Sequence, residues 1–307
     1  MGRILITLHA VVGLLAGCST EHYAQVLLTP HAQPGKWNQN RFASGEEMVR
    51  KGEISAHRRV AADDGVEIDV WVLRGEDFGA TPTGATVLLL HGRMDSKAHY
   101  YALAKRLAGM GHHAVLLDHR AHGRSGGDVL TWGAKEKVDA RTVIDSLLAE
   151  GLISDRVYVF GHSMGAATAV MYAAIDPRCR GCVAVAPYMD ARSVTRRFVP
   201  LMSDAKFEAV WQLAARKAGF DPDEASVLRA AVRLQCPLLV IHGAADPLCP
   251  YGHGRAVYEV CPAPKQIVSF PLTGHVSILL AGEKWFAGKI DAVIRGELPE
   301  KAAAGAS

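Results

Sequence analysis

From Arg59 onward, apolar and polar positions exchange with a period of two: Val60 precedes Asp63-Asp64-Gly65, and Val66, Ile68, Val70 and Val72 follow it. That period puts one set of side chains on a single strand face, and Asp-Gly supplies a tight turn, so the segment predicts two strands joined as a hairpin. Beyond Thr83-Gly84 the pattern changes. Residues 86–90 form an unbroken apolar run, as expected of a strand covered on both faces. Leu103, Leu107 and Met110 then recur at helical spacing, and Gly111 ends that helix. The exchange repeats with a strand at 114–117, an amphipathic helix at 138–148, a strand at 156–160 and a helix running to Ile175, before Pro177. Three more apolar runs, 182–186, 237–241 and 266–270, predict further strands. Such alternation folds as a mostly parallel, eight-stranded sheet with helices on both faces.

Residues 188 to about 234 interrupt the alternation. Phe207, Val210, Trp211 and Ala214 share one helical face, and a second helix is expected after Asp221-Pro222. A helical insertion between two strands suits a cap over an active site. It equally suits a long connection packed on the core.

The two ends read differently from the middle. After Arg3, residues 4–17 are apolar but for Thr7 and His9, and the run closes on Leu15-Ala16-Gly17-Cys18. It is short for a membrane span and suits a secretory signal. The closing tetrapeptide resembles the bacterial lipobox, whose cysteine is lipidated and becomes the mature N-terminus. An uncleaved anchor or a buried N-terminal helix is the alternative. The expected organisation is a signal at 1–18 ending at lipidated Cys18, a tether at 19–57, a domain at 58–295 and a flexible, Ala-rich tail at 296–307. The protein would then be exported and held at a membrane through an N-terminal lipid.

Composition narrows the partners. Hydrophobic residues make up 49% and charged residues 21%, as in an ordinary globular body, and 34 basic against 31 acidic residues leave a net charge of +3. No run of Lys or Arg offers a nucleic-acid surface. Without Cys18, five cysteines remain: Cys179, Cys182, Cys236, Cys249 and Cys261. Cys179 and Cys182 have CxxC spacing, but no second pair completes a zinc site, and buried inert thiols are the simplest account.

The chemistry lies in Gly161-His162-Ser163-Met164-Gly165, set between a strand and a small-residue helix. A serine on a sharp turn projects its hydroxyl, and side chains at the two flanking glycines would strike the neighbouring strand and helix. A serine hydroxyl needs a base to become a nucleophile. Such an elbow is followed along the chain by an acid and then a histidine. Asp246, in His242-Gly243-Ala244-Ala245-Asp246-Pro247, stands at the end of one strand, and His275, in Gly274-His275, follows the last. A buried carboxylate on one imidazole nitrogen fixes the tautomer and stabilises the imidazolium. Asp190 is the competing acid, while His242 is expected to brace the acid's loop and His253 to sit at a helix start. Two backbone amides must hold the oxyanion. By position they are those of Met164 and of Arg93, in His91-Gly92-Arg93-Met94, with the Arg93 side chain free to face solvent.

Together, His91-Gly92-Arg93, the run from Asp118 to Ser125, the Gly-His-Ser-Met-Gly elbow, Asp246 and His275 resemble the lysophospholipase and monoacylglycerol-lipase-like branch of the α/β-hydrolases. The resemblance covers roughly residues 58–295. It implies an α/β-hydrolase fold and hydrolysis of carboxylic esters or thioesters, of small-molecule or lipid origin, without metal or organic cofactor. It implies also that Asp118 and His122 support the loop beside the site. The branch usually has Gly where this chain has Ala121, and often a third Gly at Ala166. A peptidase or acyltransferase on the same residues, and a non-catalytic binding lipoprotein, are the alternatives.

Overall fold

The computed structural model describes residues 19–30, 44–75 and 84–298. Two helices, α1 (Thr20–Leu28) and α2 (Gly45–Arg50), precede β1 (Ala56–Ala61) and β2 (Glu67–Leu73). Then follow β3 (Thr86–Leu90), α3 (Tyr101–Ala108), β4 (His113–Leu117), α4 (Glu136–Ala149), β5 (Val157–His162), α5 (Met164–Ala173) and β6 (Cys179–Val185). Helices α6 (Ala191–Arg196), α7 (Asp204–Ala218) and α8 (Val227–Ala231) lie between β6 and β7 (Leu238–Gly243). The chain closes with α9 (Tyr251–Val260), β8 (Lys265–Phe270) and α10 (Gly282–Ile294).

The eight strands form one sheet in the order β1-β2-β4-β3-β5-β6-β7-β8. β1 pairs antiparallel with β2, Val60 opposite Ile68, and β2 pairs antiparallel with β4. Every other pairing is parallel. The expected mostly parallel α/β sheet is what the chain forms.

The unbroken apolar runs have a direct cause. Leu88 and Leu90 of β3 turn to a core shared with Val143, Ile144 and Leu147 of α4 and with α5. Their neighbours Val87 and Leu89 turn to a second core, with Leu103 and Leu107 of α3 and Phe286 and Ile290 of α10. Consecutive strand residues point to opposite faces, so a strand covered twice needs apolar side chains at every position. Each such leucine, wholly removed from water, contributes about 1.5–3 kcal/mol.

The expected tether is only partly one. Signal residues 1–18, including Cys18, and residues 31–43 lie outside the described residues, as does the tail from 299. Residues 20–28, however, are a packed helix. Ser19 caps it, its hydroxyl accepting from the His22 amide at 3.2 Å, and Ala24, Leu27 and Leu28 are buried in the core. Glu21, His22 and Gln25, on the outer face, mask the i, i+3, i+4 spacing of the apolar face in the sequence. Helix α1 packs on α7, where Lys217 meets Glu21 at 2.7 Å.

Helix α7 is the one expected from Phe207, Val210, Trp211 and Ala214, and all four side chains are buried. Trp211 stands edge-on to Phe220, 6.0 Å between ring centres. No helix among the described residues is long and apolar enough to cross a membrane.

Candidate active site

Strand β5 runs directly into Ser163, and α5 begins one residue later. Ser163 has φ 56° and ψ −119°, a region that a side chain enters only under strain of about 1–3 kcal/mol. The flanking glycines permit this bend. A Cβ on Gly161 would lie 2.1 Å from the Gly165 carbonyl oxygen, and one on Gly165 would lie 2.1 Å from that of Leu90. Helix α5 thus rests against β3 at a separation no other residue allows.

His275 comes from the loop after β8. Its Nε2 lies 2.8 Å from Ser163 Oγ, and its Nδ1 lies 2.6 Å from Asp246 Oδ2. A carboxylate only accepts, so Nδ1 carries the proton and Nε2 is left to accept from the serine. Asp246 Oδ1 accepts from the amides of Cys249, at 2.8 Å, and Leu248, at 2.9 Å. Burial pushes the Asp246 carboxyl up, but its bond to His275, that charge and the two amides outweigh burial and hold it below the usual carboxylate range. The competing acid, Asp190, is occupied elsewhere: it caps α6, accepting from the Ser193 amide at 2.6 Å.

The bystander histidines have structural partners. His242 Nε2 lies 2.7 Å from the Cys249 carbonyl oxygen and ties down the loop that carries Asp246. His253 stands in the first turn of α9. His162, unremarked in the sequence, donates from Nε2 to the His275 carbonyl at 2.9 Å, and burial lowers its pKa to about 3. Its place inside the elbow was the available signal.

The loop after β3 passes beside Ser163: a Cβ on Gly92 would lie 3.6 Å from Ser163 Cβ. Neither the Arg93 nor the Met164 amide donates a hydrogen bond among the described residues. The Arg93 side chain departs from expectation. It does not face solvent; Nη2 donates to the carbonyls of Val26, at 2.9 Å, and Thr29, at 2.7 Å. The guanidinium lies 5.1 Å from the centre of the Trp132 ring and 5.7 Å from that of Phe198. Burial lowers its pKa to about 10, so it stays charged at neutral pH. Helix α1, read as tether, supplies the carbonyls that make this inward course favourable.

Asp118 and His122 brace the same region. Asp118 accepts from the amides of Lys97 and Arg124, each at 2.8 Å, and from the Lys97 ammonium. That ammonium also meets Asp69 at 2.6 Å, and all three side chains are buried. Lys97 was not singled out from sequence, since nothing local marks a lysine as buried. His122 Nε2 lies 2.5 Å from the Arg93 carbonyl oxygen. Ala121 has φ 61°, which accounts for the glycine the resemblance leads one to expect there. Ala166 is fully buried without strain of that kind.

Among the described residues no group of three or more His, Cys, Asp or Glu is placed to hold a metal ion. Cys179, Cys182, Cys236, Cys249 and Cys261 are buried free thiols.

The buried histidines give a pH prediction. Burial lowers the pKa of His91 to about 4, of His113 to about 4 and of His162 to about 3. Below the unfolded value, about 6.5, the unfolded chain binds protons that the folded chain refuses, so stability falls with pH. The loss should run from about pH 6.5 down to about 3, as pH falls, and be absent above pH 7. Thermal unfolding from pH 8 to 4 would show it as a falling Tm; an unchanged Tm between pH 7 and 4.5 would contradict it.

A family model described as "Serine aminopeptidase, S33" (Hydrolase_4) matches residues 81–222. The chain is 29% identical over 188 residues to lysophosphatidylserine lipase ABHD12 of Mus musculus, covering 57% of this chain and 45% of that protein. It therefore spans less than half the length of that relative. It is 25% identical over 208 residues to the uncharacterized protein YqkD of Bacillus subtilis, covering 64% of this chain and 66% of that one. Among solved structures it resembles the Pyrococcus furiosus esterase Pf2001, at 22% identity and TM-score 0.62, over 81% of this chain and 95% of that. It resembles Est1E of Butyrivibrio proteoclasticus, solved with ferulic acid, at 16% identity and TM-score 0.63, over 78% and 98%. Likeness in sequence and likeness in fold converge on one architecture: the chain has the α/β-hydrolase fold.

Proposed function

We propose that this chain is a serine hydrolase that cleaves carboxylic esters or thioesters through an acyl-enzyme. The observation that carries the reading is the unbroken line from Ser163 Oγ through His275 to Asp246 at the tip of the elbow. Ser163 Oγ attacks the substrate carbonyl carbon while its proton passes to His275 Nε2. The amides of Arg93 and Met164 hold the oxyanion, and Asp246 stabilises the imidazolium. His275 then returns the proton to the departing alkoxide or thiolate. Water, deprotonated by the same nitrogen, cleaves the acyl-serine and restores the enzyme. No step calls for a metal or organic cofactor.

The match to a serine aminopeptidase model favours one second reading, a peptidase on the same residues. A fluorophosphonate should label the protein once, at Ser163, with turnover of a series of aryl esters and none of aminoacyl anilides. Labelling with anilide cleavage as fast as ester cleavage would replace esterase by peptidase. Absence of labelling would make the chain a binding protein.

The lipobox resemblance supports export and anchoring through Cys18. Burying hydrocarbon contributes about 0.8 kcal/mol per methylene, so two or more chains make a stable anchor. Cells expressing the wild type should incorporate labelled fatty acid into the protein and retain it with membranes, and Cys18→Ser should incorporate none. An unlabelled, cytoplasmic wild type would refute the anchor.

A further inference from the structure

The last carbonyls of an α-helix have no partner within it. In α1 those of Val26, Leu27 and Leu28, with that of the capping Thr29, all find partners on Arg93 and on residues 130–132. Arg93 Nη2 donates to Val26 and Thr29, the Trp132 indole to Leu27 at 3.2 Å, and the Leu130 amide to Leu28 at 2.9 Å. The Arg93 guanidinium meets no carboxylate among the described residues. Its compensation comes from the negative end of the α1 dipole and from the Trp132 and Phe198 rings. On the other side of the same residue, the Arg93 carbonyl accepts from His122. Arg93 is thus gripped at both its side chain and its carbonyl, and it directly follows Gly92, where a Cβ would lie 3.6 Å from Ser163 Cβ.

We infer that α1 is a strap on the oxyanion loop, and that the Arg93 side chain is a positioning group through which α1 holds the Arg93 amide in place. The inference rests on the hydrolase reading for its catalytic consequence, though not for its structural one. An amide aimed at a developing oxyanion acts only if its position is held before reaction. Gly92, directly before Arg93, leaves the loop backbone free to turn; the guanidinium, caught by two carbonyls, fixes it. The segment directly after Cys18 then belongs to the catalytic apparatus, and displacing α1 lowers turnover without altering any group that touches substrate.

The test uses the full chain and two readouts. The first is hydrogen exchange by mass spectrometry. In the wild type, α1 and residues 91–95 should open together as one unit, separately from β3 and β5. The second is steady-state kinetics on a small aryl ester for Arg93→Met, Arg93→Lys, Ala24→Glu and the Arg93→Met/Ala24→Glu double variant. Ala24 is buried where α1 meets the core and lies outside the active site, so a glutamate there should lift the strap. Arg93→Met and Ala24→Glu should each lower kcat about ten- to a hundredfold with KM changed less than about threefold. Arg93→Lys, which keeps the charge, should recover part of the loss. Because both changes break one link, the double variant should be no slower than the slower single. Losses that multiply in the double variant would overturn the strap. So would independent exchange of α1 and residues 91–95 in the wild type, which needs no variant to fold. A wild type that exchanges as expected but neither turns over esters nor takes the fluorophosphonate would refute the hydrolase reading and leave the mechanical link standing.

Discussion

Ser163→Ala should lower kcat for an aryl ester by about four orders of magnitude or more, with Tm close to that of the wild type. Only Oγ is lost. The Cβ remains, so the backbone keeps the strained φ of 56°, and no buried group loses its sole partner, since His275 retains Asp246. The remaining amides and His275 cannot replace an absent nucleophile. Asp246→Asn should come near the same loss, about 10⁴-fold, because an amide beside Nδ1 no longer selects the tautomer that leaves Nε2 free to accept. Asp190→Asn is the control: that residue caps a short helix, and its loss should leave kcat within about threefold. Stopped assays on purified variants with matched circular dichroism decide the matter. Retention of more than about a tenth of wild-type kcat by Ser163→Ala would remove Ser163 as nucleophile.

The largest expected effect on stability is at Lys97. Its ammonium lies between the buried carboxylates of Asp69 and Asp118 and stacks 4.8 Å from the centre of the Trp71 ring. Lys97→Met keeps much of the volume but leaves two carboxylates facing each other out of water. Removing one partner of a buried ion pair typically costs about 3–5 kcal/mol. For a domain of this size that lowers Tm by roughly ten degrees. The loss should also loosen the loop after β4, because Asp118 there receives the Arg124 amide and would be driven to protonate or to turn outward. Arg255→Ala offers the contrast: its pair with Glu259 is exposed on α9, held in high dielectric, and its loss should leave Tm unchanged. Equal Tm for Lys97→Met and wild type would mean that the buried cluster is not held by charge.

How much of this was legible before folding varies with the range of the interaction responsible. The strands at 86–90, 156–160 and 237–241 were readable because double burial demands apolar residues at consecutive positions, a local mark. The elbow was readable from a local mark too: its strained serine needs glycine on both sides, because a Cβ on either would lie 2.1 Å from a backbone oxygen. Asp246 and His275 were placed by their order along the chain and by their positions after strands, and the structure brings both to Ser163. Helix α1 was not readable, because its three buried positions are interleaved with polar ones and its partners, such as Arg93, Trp132 and Lys217, lie far along the chain.

What the sequence determined by itself is therefore everything written at short range: the succession of strands and helices, the turn that forces Ser163 outward, and the residue types able to activate it. The tertiary structure alone decided which polar groups are paired. It turned Arg93 inward onto the end of α1, placed Lys97 between two carboxylates and gave Asp190 to a helix cap. A side chain's charge and hydrogen-bonding capacity are local properties, whereas its partner and its distance from water depend on how segments far apart in the chain meet.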